Sequence, residues 1–234
     1  MTAAIMQPYF FPYIGYFQLI NSVDKFIVYD NIQFTKKGWI NRNRILQNGK
    51  DEYITIPLKK DSDYLNIVQR EWAETDVVEK QKLIRRIKES YRKAPQFSTV
   101  FPLIETAINF NDRNLFLYLF NSLTTICGYL DITTEFIVSS TLAIDHTLKS
   151  EEKVLALCKN IGATHYINPI GGLSLYSKEI FGQNNMELAF IKSNNIEYPQ
   201  FKNDFVPWLS IIDVLMFNDK DKVKEYINNE FTLQ

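Results

Sequence analysis

Ala3-Ala4-Ile5-Met6-Gln7-Pro8-Tyr9-Phe10-Phe11-Pro12-Tyr13-Ile14-Gly15-Tyr16-Phe17-Gln18-Leu19-Ile20 opens the chain, and Lys25-Phe26-Ile27-Val28-Tyr29-Asp30 follows closely. The first five residues make a short apolar strand that Pro8 stops, because proline has no N–H for a ladder. A loop over Pro8–Pro12 leads into a helix from Tyr13 to Ile20. The second run is rich in β-formers and ends in an acid. Strand, loop, helix and strand within thirty residues is the rhythm of a parallel sheet with crossover helices. The fold class read from it is α/β, a mainly parallel sheet with flanking helices and a Rossmann-like, nucleotidyltransferase-like start.

The same rhythm continues. Tyr53–Leu58 is a third strand candidate, with Pro57 near its end. Val77–Tyr91 and Leu115–Leu130 show helical periodicity, the first studded with Lys and Arg. Glu135–Ser140, Thr164–Asn168 and Met186–Ile191 read as strands. Ser150 is placed as the cap of a helix over Glu151–Ile161 that stops at Gly162. A helical tail starts near Ser210. No repeat or linker interrupts residues 1–234, so a single domain is expected, with a helical elaboration around 77–130.

The 234 residues carry 26 basic and 27 acidic side chains, a net charge of -1. A general nucleic-acid binder would be basic as a whole, so no nucleic-acid partner is expected. Cys127 and Cys158 each sit in an apolar stretch, which fits free thiols and a cytoplasmic setting. His146 and His165 have no Cys or second His at ligand spacing, so no zinc site is expected. No run is long and apolar enough to predict a membrane span. The 14% aromatic content supplies core, and its tyrosines also suit polar-tipped pocket walls.

In open parallel sheets, ligands lie beyond the carboxyl ends of the strands. Those ends read Gln7-Pro8-Tyr9, Asp30 to Gln33, Ser139-Ser140 and Asn168 to Gly172, all polar or glycine-bearing. Tyr13-Ile14-Gly15-Tyr16 has the spacing of the His-x-Gly-His loop of nucleotidyltransferases, with tyrosines for both histidines. A phenol donates one hydrogen bond and carries no imidazolium charge. Gln7, Tyr13, Gly15 and Tyr16 are therefore candidates for nucleotide and phosphate contact, against the plainer reading of an aromatic loop packed on the sheet.

Thr35-Lys36-Lys37-Gly38-Trp39-Ile40-Asn41-Arg42-Asn43-Arg44 is the sharpest shift in composition, with four cations and no acid. Arg42 and Arg44 share a face if extended, and their planar forks suit phosphate or carboxylate. Lys36, Lys37, Arg42 and Arg44 are the phosphate candidates; the alternative is a solvated basic loop. Gln33, Trp39, Asn41, Asn43, Ser139, Asn168, Gly171 and Gly172 are candidates for substrate contact, and Asp30 for catalysis. Asp61-Ser62-Asp63 spells a metal motif of glycosyltransferases but reads as a turn.

Gln7-Pro8-Tyr9-Phe10-Phe11-Pro12-Tyr13-Ile14-Gly15-Tyr16-Phe17, Asp30-Asn31-Ile32-Gln33-Phe34 and Trp39 to Arg44 together resemble the WbqC-like family. Tyr91 to Phe97, Ser139-Ser140, Asn168 to Gly172 and Phe205 to Asp213 extend the resemblance over nearly the whole chain. The resemblance implies a bacterial surface-polysaccharide or O-antigen context, and amino-acid (glycyl) transfer onto a nucleotide-linked amino sugar. It brings no established catalytic residues. The expected partners are a nucleotide-linked amino sugar and a small carboxylate or acyl donor. No cofactor signature is legible. An acyl-adenylate route would draw on ATP and Mg2+, with Asp30 deprotonating the ammonium or holding the metal. The alternative is a non-catalytic sugar-nucleotide-binding or assembly protein, since no acid-base or nucleophile constellation stands out. Oligomeric state is not legible.

Overall fold

In the computed structural model, which describes residues 1–202 and 204–234, the parallel rhythm becomes a six-stranded sheet. Its strands are β1 (Thr2–Met6), β2 (Lys25–Val28), β5 (Glu135–Val138), β6 (His165–Pro169), β7 (Glu187–Ser193) and β8 (Phe231–Leu233), in the order β5-β2-β1-β6-β7-β8. All pairs are parallel except β7 with β8, which is antiparallel at the edge. The central strands are apolar because both faces are covered. Side chains alternate accordingly. Ala4, Phe26 and Val28 join one core, and Ala3, Ile5 and Ile27 join the other.

The two cores show how the helices are distributed. Helix α1 (Ile14–Asn21) links β1 to β2 and packs in the first core. Helices α5 (Ser150–Asn160) and α6 (Lys178–Gln183), before and after β6, supply Val154, Cys158 and Phe181 to the second. The connection leaving β1 therefore runs to one side of the sheet, and that leaving β6 to the other. The gap between β1 and β6 is the topological switch point, where open α/β sheets place their ligands. The ladder there is short. It pairs only Thr2 with His165 and Ala3 with Tyr166, whereas β1 and β2 pair from Ala3 through Met6. The two central strands thus part toward their carboxyl ends.

Tyr53–Leu58 does not join this sheet. A separate two-stranded antiparallel hairpin contains β3 (Arg42–Gln47) and β4 (Lys50–Thr55). Asn48 and Gly49 turn it, with φ of 52° and 75°. Left-handed backbone at both turn positions is what a two-residue hairpin needs and what Asn-Gly tolerates best. Helices α2 (Asp76–Tyr91), α3 (Phe97–Ile108) and α4 (Leu115–Tyr129) share the first core with the sheet and hairpin. Helices α7 (Ile211–Phe217) and α8 (Lys220–Asn229) complete that side. Ser150 begins α5 and makes no capping bond, unlike the expected cap. Lys80, one of the basic residues that stud α2, is buried. Its ammonium lies 5.4 Å from the ring centres of both Trp72 and Tyr118. Among the described residues no helix is long and apolar enough to cross a membrane.

One carboxylate ties the hairpin side together. Asp213, fully buried on α7, accepts from the Tyr91 hydroxyl at 2.7 Å, the Tyr198 hydroxyl at 2.8 Å and the Gln200 amide at 2.7 Å. The Leu46 N–H of β3 in turn donates to the Tyr91 oxygen at 2.8 Å. Burial pushes the Asp213 carboxyl up to about 6, although the three donors pull the other way. A folded-state value above the unfolded one means the folded chain holds the proton more tightly. This stabilising contribution is complete below about pH 4 and is lost as pH rises through 6. The wild type should lose about 2.4 kcal/mol between pH 4 and 7 relative to Asp213→Asn, whose side chain does not titrate. Urea unfolding of both proteins across that range checks this. Parallel pH profiles would show that Asp213 titrates normally.

Candidate functional site

The parted strands open a crevice at the carboxyl edge. A cavity of about 510 Å³ sits there, walled by Gln7 and Tyr9 after β1, Tyr29 after β2, and Asn168, Gly171 and Gly172 after β6. The ends of β1, β2, β5 and β6 lie at one edge, since Met6 pairs with Val28 and Val28 with Val138. The Tyr166 hydroxyl donates to Asn168 Oδ1 at 3.0 Å, fixing the amide in the cavity wall. A Cβ on Gly172 would collide with Asn168 Nδ2, so this glycine seats the amide.

Tyr9 also borders a second, smaller cavity of about 190 Å³, formed with Pro12, Tyr13, Trp39, Asn43, Arg44 and Trp208. Tyr13 and Trp208 in turn wall a third, of about 310 Å³, beyond the carboxyl end of β7. The three compartments share walls across the edge. The middle one is an aromatic slot with a cation beside it. Trp39 stacks on Tyr53 with centroids 6.1 Å apart, and the Arg44 guanidinium lies 5.5 Å from the Trp39 ring. Tyr13 meets Trp208 edge-on at 6.1 Å. Trp208 is 49% exposed and holds a φ of 59°, a conformation costly for a bulky side chain.

Arg44 and Asn43 account for how these walls stay in place. Arg44 Nη1 donates to Asp51 at 2.8 Å and Nη2 to the Trp208 carbonyl at 3.3 Å, while its Nε–H has no acceptor among the described residues. Asn43 is buried. Its Nδ2 donates to the carbonyls of Phe10 at 3.0 Å and Phe11 at 2.9 Å, and its Oδ1 accepts from the Arg44 N–H. All its bonding capacity toward the pocket is spent on the loop, so Asn43 shapes the slot rather than presenting a free amide to a ligand.

Several other candidates are also occupied within the chain. Tyr16 is buried and donates to the Gln7 carbonyl at 2.8 Å; burial raises its hydroxyl well above the usual phenol value. The space a Cβ would need at Gly15 is filled by the Tyr13 ring. The Tyr-x-Gly-Tyr loop therefore packs on itself where a nucleotide loop would leave room. Asp30 is 1% exposed, and its Oδ1 accepts from Ser139 Oγ at 2.8 Å and the Ser140 N–H at 3.0 Å. Arg42 donates to the carbonyls of Lys37 and Gly38 and stacks on Tyr53 at 4.8 Å, which closes its own loop. Lys36 pairs with Asp63 at 2.7 Å, and Gln33 donates to the Asp63 carbonyl. Asn41 donates to the Ile56 carbonyl. Lys37 is exposed on the same loop. The structure thus gathers Gln7, Tyr13, Trp39, Asn43, Arg44, Asn168, Gly171 and Gly172 around the compartments. Gly15, Tyr16, Gln33, Lys36, Lys37, Asn41, Arg42 and Ser139 line none of the three.

A family model described as the WbqC-like protein family matches residues 7–225. The chain belongs to the WbqC-like family. This WbqC-like chain is 28% identical over 235 residues to the uncharacterized protein Rv1507c of Mycobacterium tuberculosis (strain ATCC 25618 / H37Rv), covering 96% of each chain. No solved structure matches it significantly. Of two residues that wall the slot, Tyr9 is legible as part of the strand end Gln7-Pro8-Tyr9, and Trp208 as a core or pocket-wall aromatic. Nothing short-range marks them as walls of one slot, because 199 residues separate them.

The Asn43 geometry makes a stability prediction for this WbqC-like protein. Asn43→Ala should cost about 1–3 kcal/mol, because the buried Phe10 carbonyl loses its donor while the Phe11 carbonyl keeps only the Ser210 hydroxyl. Urea denaturation measures it. A loss below about 1 kcal/mol would mean that water satisfies the Phe10 carbonyl and that Asn43 is not needed to hold the loop.

Proposed function

We propose that the edge crevice binds a nucleotide-linked amino sugar and that the protein transfers an acyl group, aminoacyl in kind, to the sugar nitrogen in surface-polysaccharide synthesis. The observation that carries the binding half is the aromatic slot of Trp39, Tyr13 and Trp208 with Arg44 beside it, set against the switch-point cavity. Flat rings stack on such walls, and a guanidinium gives charge-assisted hydrogen bonds to phosphate oxygens. The pathway and the acyl chemistry follow from the family resemblance. The adenylate route through the α1 loop loses its support, because the Tyr13 ring occupies the space at Gly15. A donor activated elsewhere, presented as a thioester or carrier ester, therefore fits better than ATP and Mg2+ bound at that loop.

A second reading is a non-catalytic sugar-nucleotide-binding or assembly protein. It is favoured by Asp30, the catalytic candidate, and Tyr16, one of the phosphate candidates, both being buried in internal bonds. One experiment separates the readings. A panel of sugar nucleotides is screened by thermal shift, then incubated with acyl thioesters while amide formation is followed by mass spectrometry. Arg44→Ala should weaken sugar-nucleotide binding by roughly 1.5–3 kcal/mol, the range for a lost hydrogen bond to a charged group. Arg42→Ala should cost far less, since its donors already serve Lys37 and Gly38. Binding without turnover by any donor selects the second reading. Equal affinity of wild type and Arg44→Ala would remove both.

A further inference from the structure

The compartment beyond β7 differs in charge from the slot next to it. Glu197 is the one charged side chain in its wall, and it makes no ion pair or hydrogen bond among the described residues. Ser193, the last residue of β7, lines the same wall, but its hydroxyl oxygen is sealed from solvent, which leaves Glu197 as the charged group that a ligand would meet. The remaining walls that matter here are the aromatic rings of Tyr13, Tyr198, Phe205 and Trp208. A carboxylate without a counter-charge, set among ring faces that attract cations, is complementary to an ammonium group. The volume of about 310 Å³ lies at the low end of ligand pockets, fitting one sugar ring better than a whole nucleotide. Trp208 forms the shared wall, with Arg44 on one side and Glu197 on the other. Its strained backbone, bonded to Arg44, keeps the indole between opposite charges.

We propose that this cavity is an amine-recognition subsite in which Glu197 holds the protonated nitrogen of an amino sugar whose phosphate lies toward Arg44. The inference rests on the sugar-nucleotide reading and adds to it the residue that selects a free amine over an acylated or hydroxylated sugar. The phosphate end gives affinity for any sugar phosphate; Glu197 discriminates among them. An N-acetyl group has no charge to meet the carboxylate, and a hydroxyl offers it only a neutral hydrogen bond in place of a charge-assisted one.

The test uses the full chain, with glucosamine 1-phosphate, N-acetylglucosamine 1-phosphate and glucose 1-phosphate as probes in isothermal titration at pH 7. Wild type should bind the amine at least tenfold more tightly than the other two. Glu197→Gln should erase that preference, and Arg44→Ala should weaken all three probes while keeping it. Glu197 is exposed at the rim, so its variant should melt like the wild type. Saturation-transfer NMR with free glucosamine and free glucose reads the subsite without the phosphate. A glucosamine signal that Glu197→Gln abolishes supports the subsite. Equal affinity for the three probes, or a preference that survives Glu197→Gln, overturns it. In that case continued sensitivity to Arg44→Ala leaves the sugar-phosphate site standing. If the sugar phosphates fail to bind while free glucosamine still depends on Glu197, the subsite holds and the sugar-nucleotide reading falls.

Discussion

Two adjacent residues of β3 hold the loops from which the aromatic slot is made. Strand alternation sends Asn43 into the protein and Arg44 toward the slot. Asn43 grips the carbonyls of Phe10 and Phe11, and Arg44 grips the carbonyl of Trp208. Ser210 adds a hydroxyl bond to the Phe11 carbonyl at 2.7 Å, and its N–H donates to the Arg44 carbonyl. Phe11 and Trp208 both adopt left-handed backbone, with φ of 39° and 59°. Each such bulky residue costs on the order of 1–3 kcal/mol and persists only where its surroundings over-determine it. The hairpin is that surrounding. It lies outside the main sheet, yet it sets the distance between Tyr9, Tyr13 and Trp208.

The hairpin is itself anchored from behind by the Asp213 carboxylate. Through Tyr91 it reaches Leu46 of β3 and helix α2, and through Tyr198 and Gln200 it reaches the segment that walls the compartment beyond β7. A buried acid satisfied by two phenols and an amide contributes less to stability than an apolar contact of equal volume. What it supplies is direction, because hydrogen bonds fix orientation where apolar packing allows slippage. Loops carrying binding side chains need that fixity, having no ladder of their own.

The sheet was legible because its strands are short apolar runs ending in polar or glycine-bearing residues, a local signal. Ala3–Gln7, Lys25–Asp30 and Thr164–Asn168 are legible for that reason, and each overlaps a strand of the sheet to within two residues at its ends. The hairpin was missed although Asn48-Gly49 is a strong turn signal, because Tyr53–Leu58 was read forward into the parallel rhythm instead of backward across the turn. The alternation of Arg42 and Arg44 onto one face was legible; that Arg42 spends its donors on Lys37 and Gly38 was not. The Tyr13-Ile14-Gly15-Tyr16 spacing is ambiguous for a related reason. A glycine that admits a ligand and a glycine that seats the preceding tyrosine ring look alike in sequence. Trp208 and Glu197 join the site through contacts nearly two hundred residues long in the chain, which no local pattern encodes.

The carboxyl edge is open at one place and closed at another. Beyond β2 and β5, where the ladder runs to Val28 and Val138, Ser139 bonds to Asp30 and lies 2.7 Å from Asn31 Oδ1. Asn31 donates to His146 Nδ1 at 2.9 Å, while His146 Nε2, 3.0 Å from the Leu142 carbonyl, carries the ring proton. Buried Lys153 on α5 donates to the His146 carbonyl at 2.7 Å, and burial lowers its ammonium below the usual value. This chain of polar bonds laces the β2–β5 end shut just past the last ladder pair. Between β1 and β6 the ladder stops early, and among the described residues no such lacing replaces it. Asp30 is thereby better placed to confine a ligand to the switch point than to react with it. The neighbouring aromatic slot is built from the hairpin side, the loop at Trp208 and the loop after β1, whose Tyr9 is the wall it shares with the switch-point cavity.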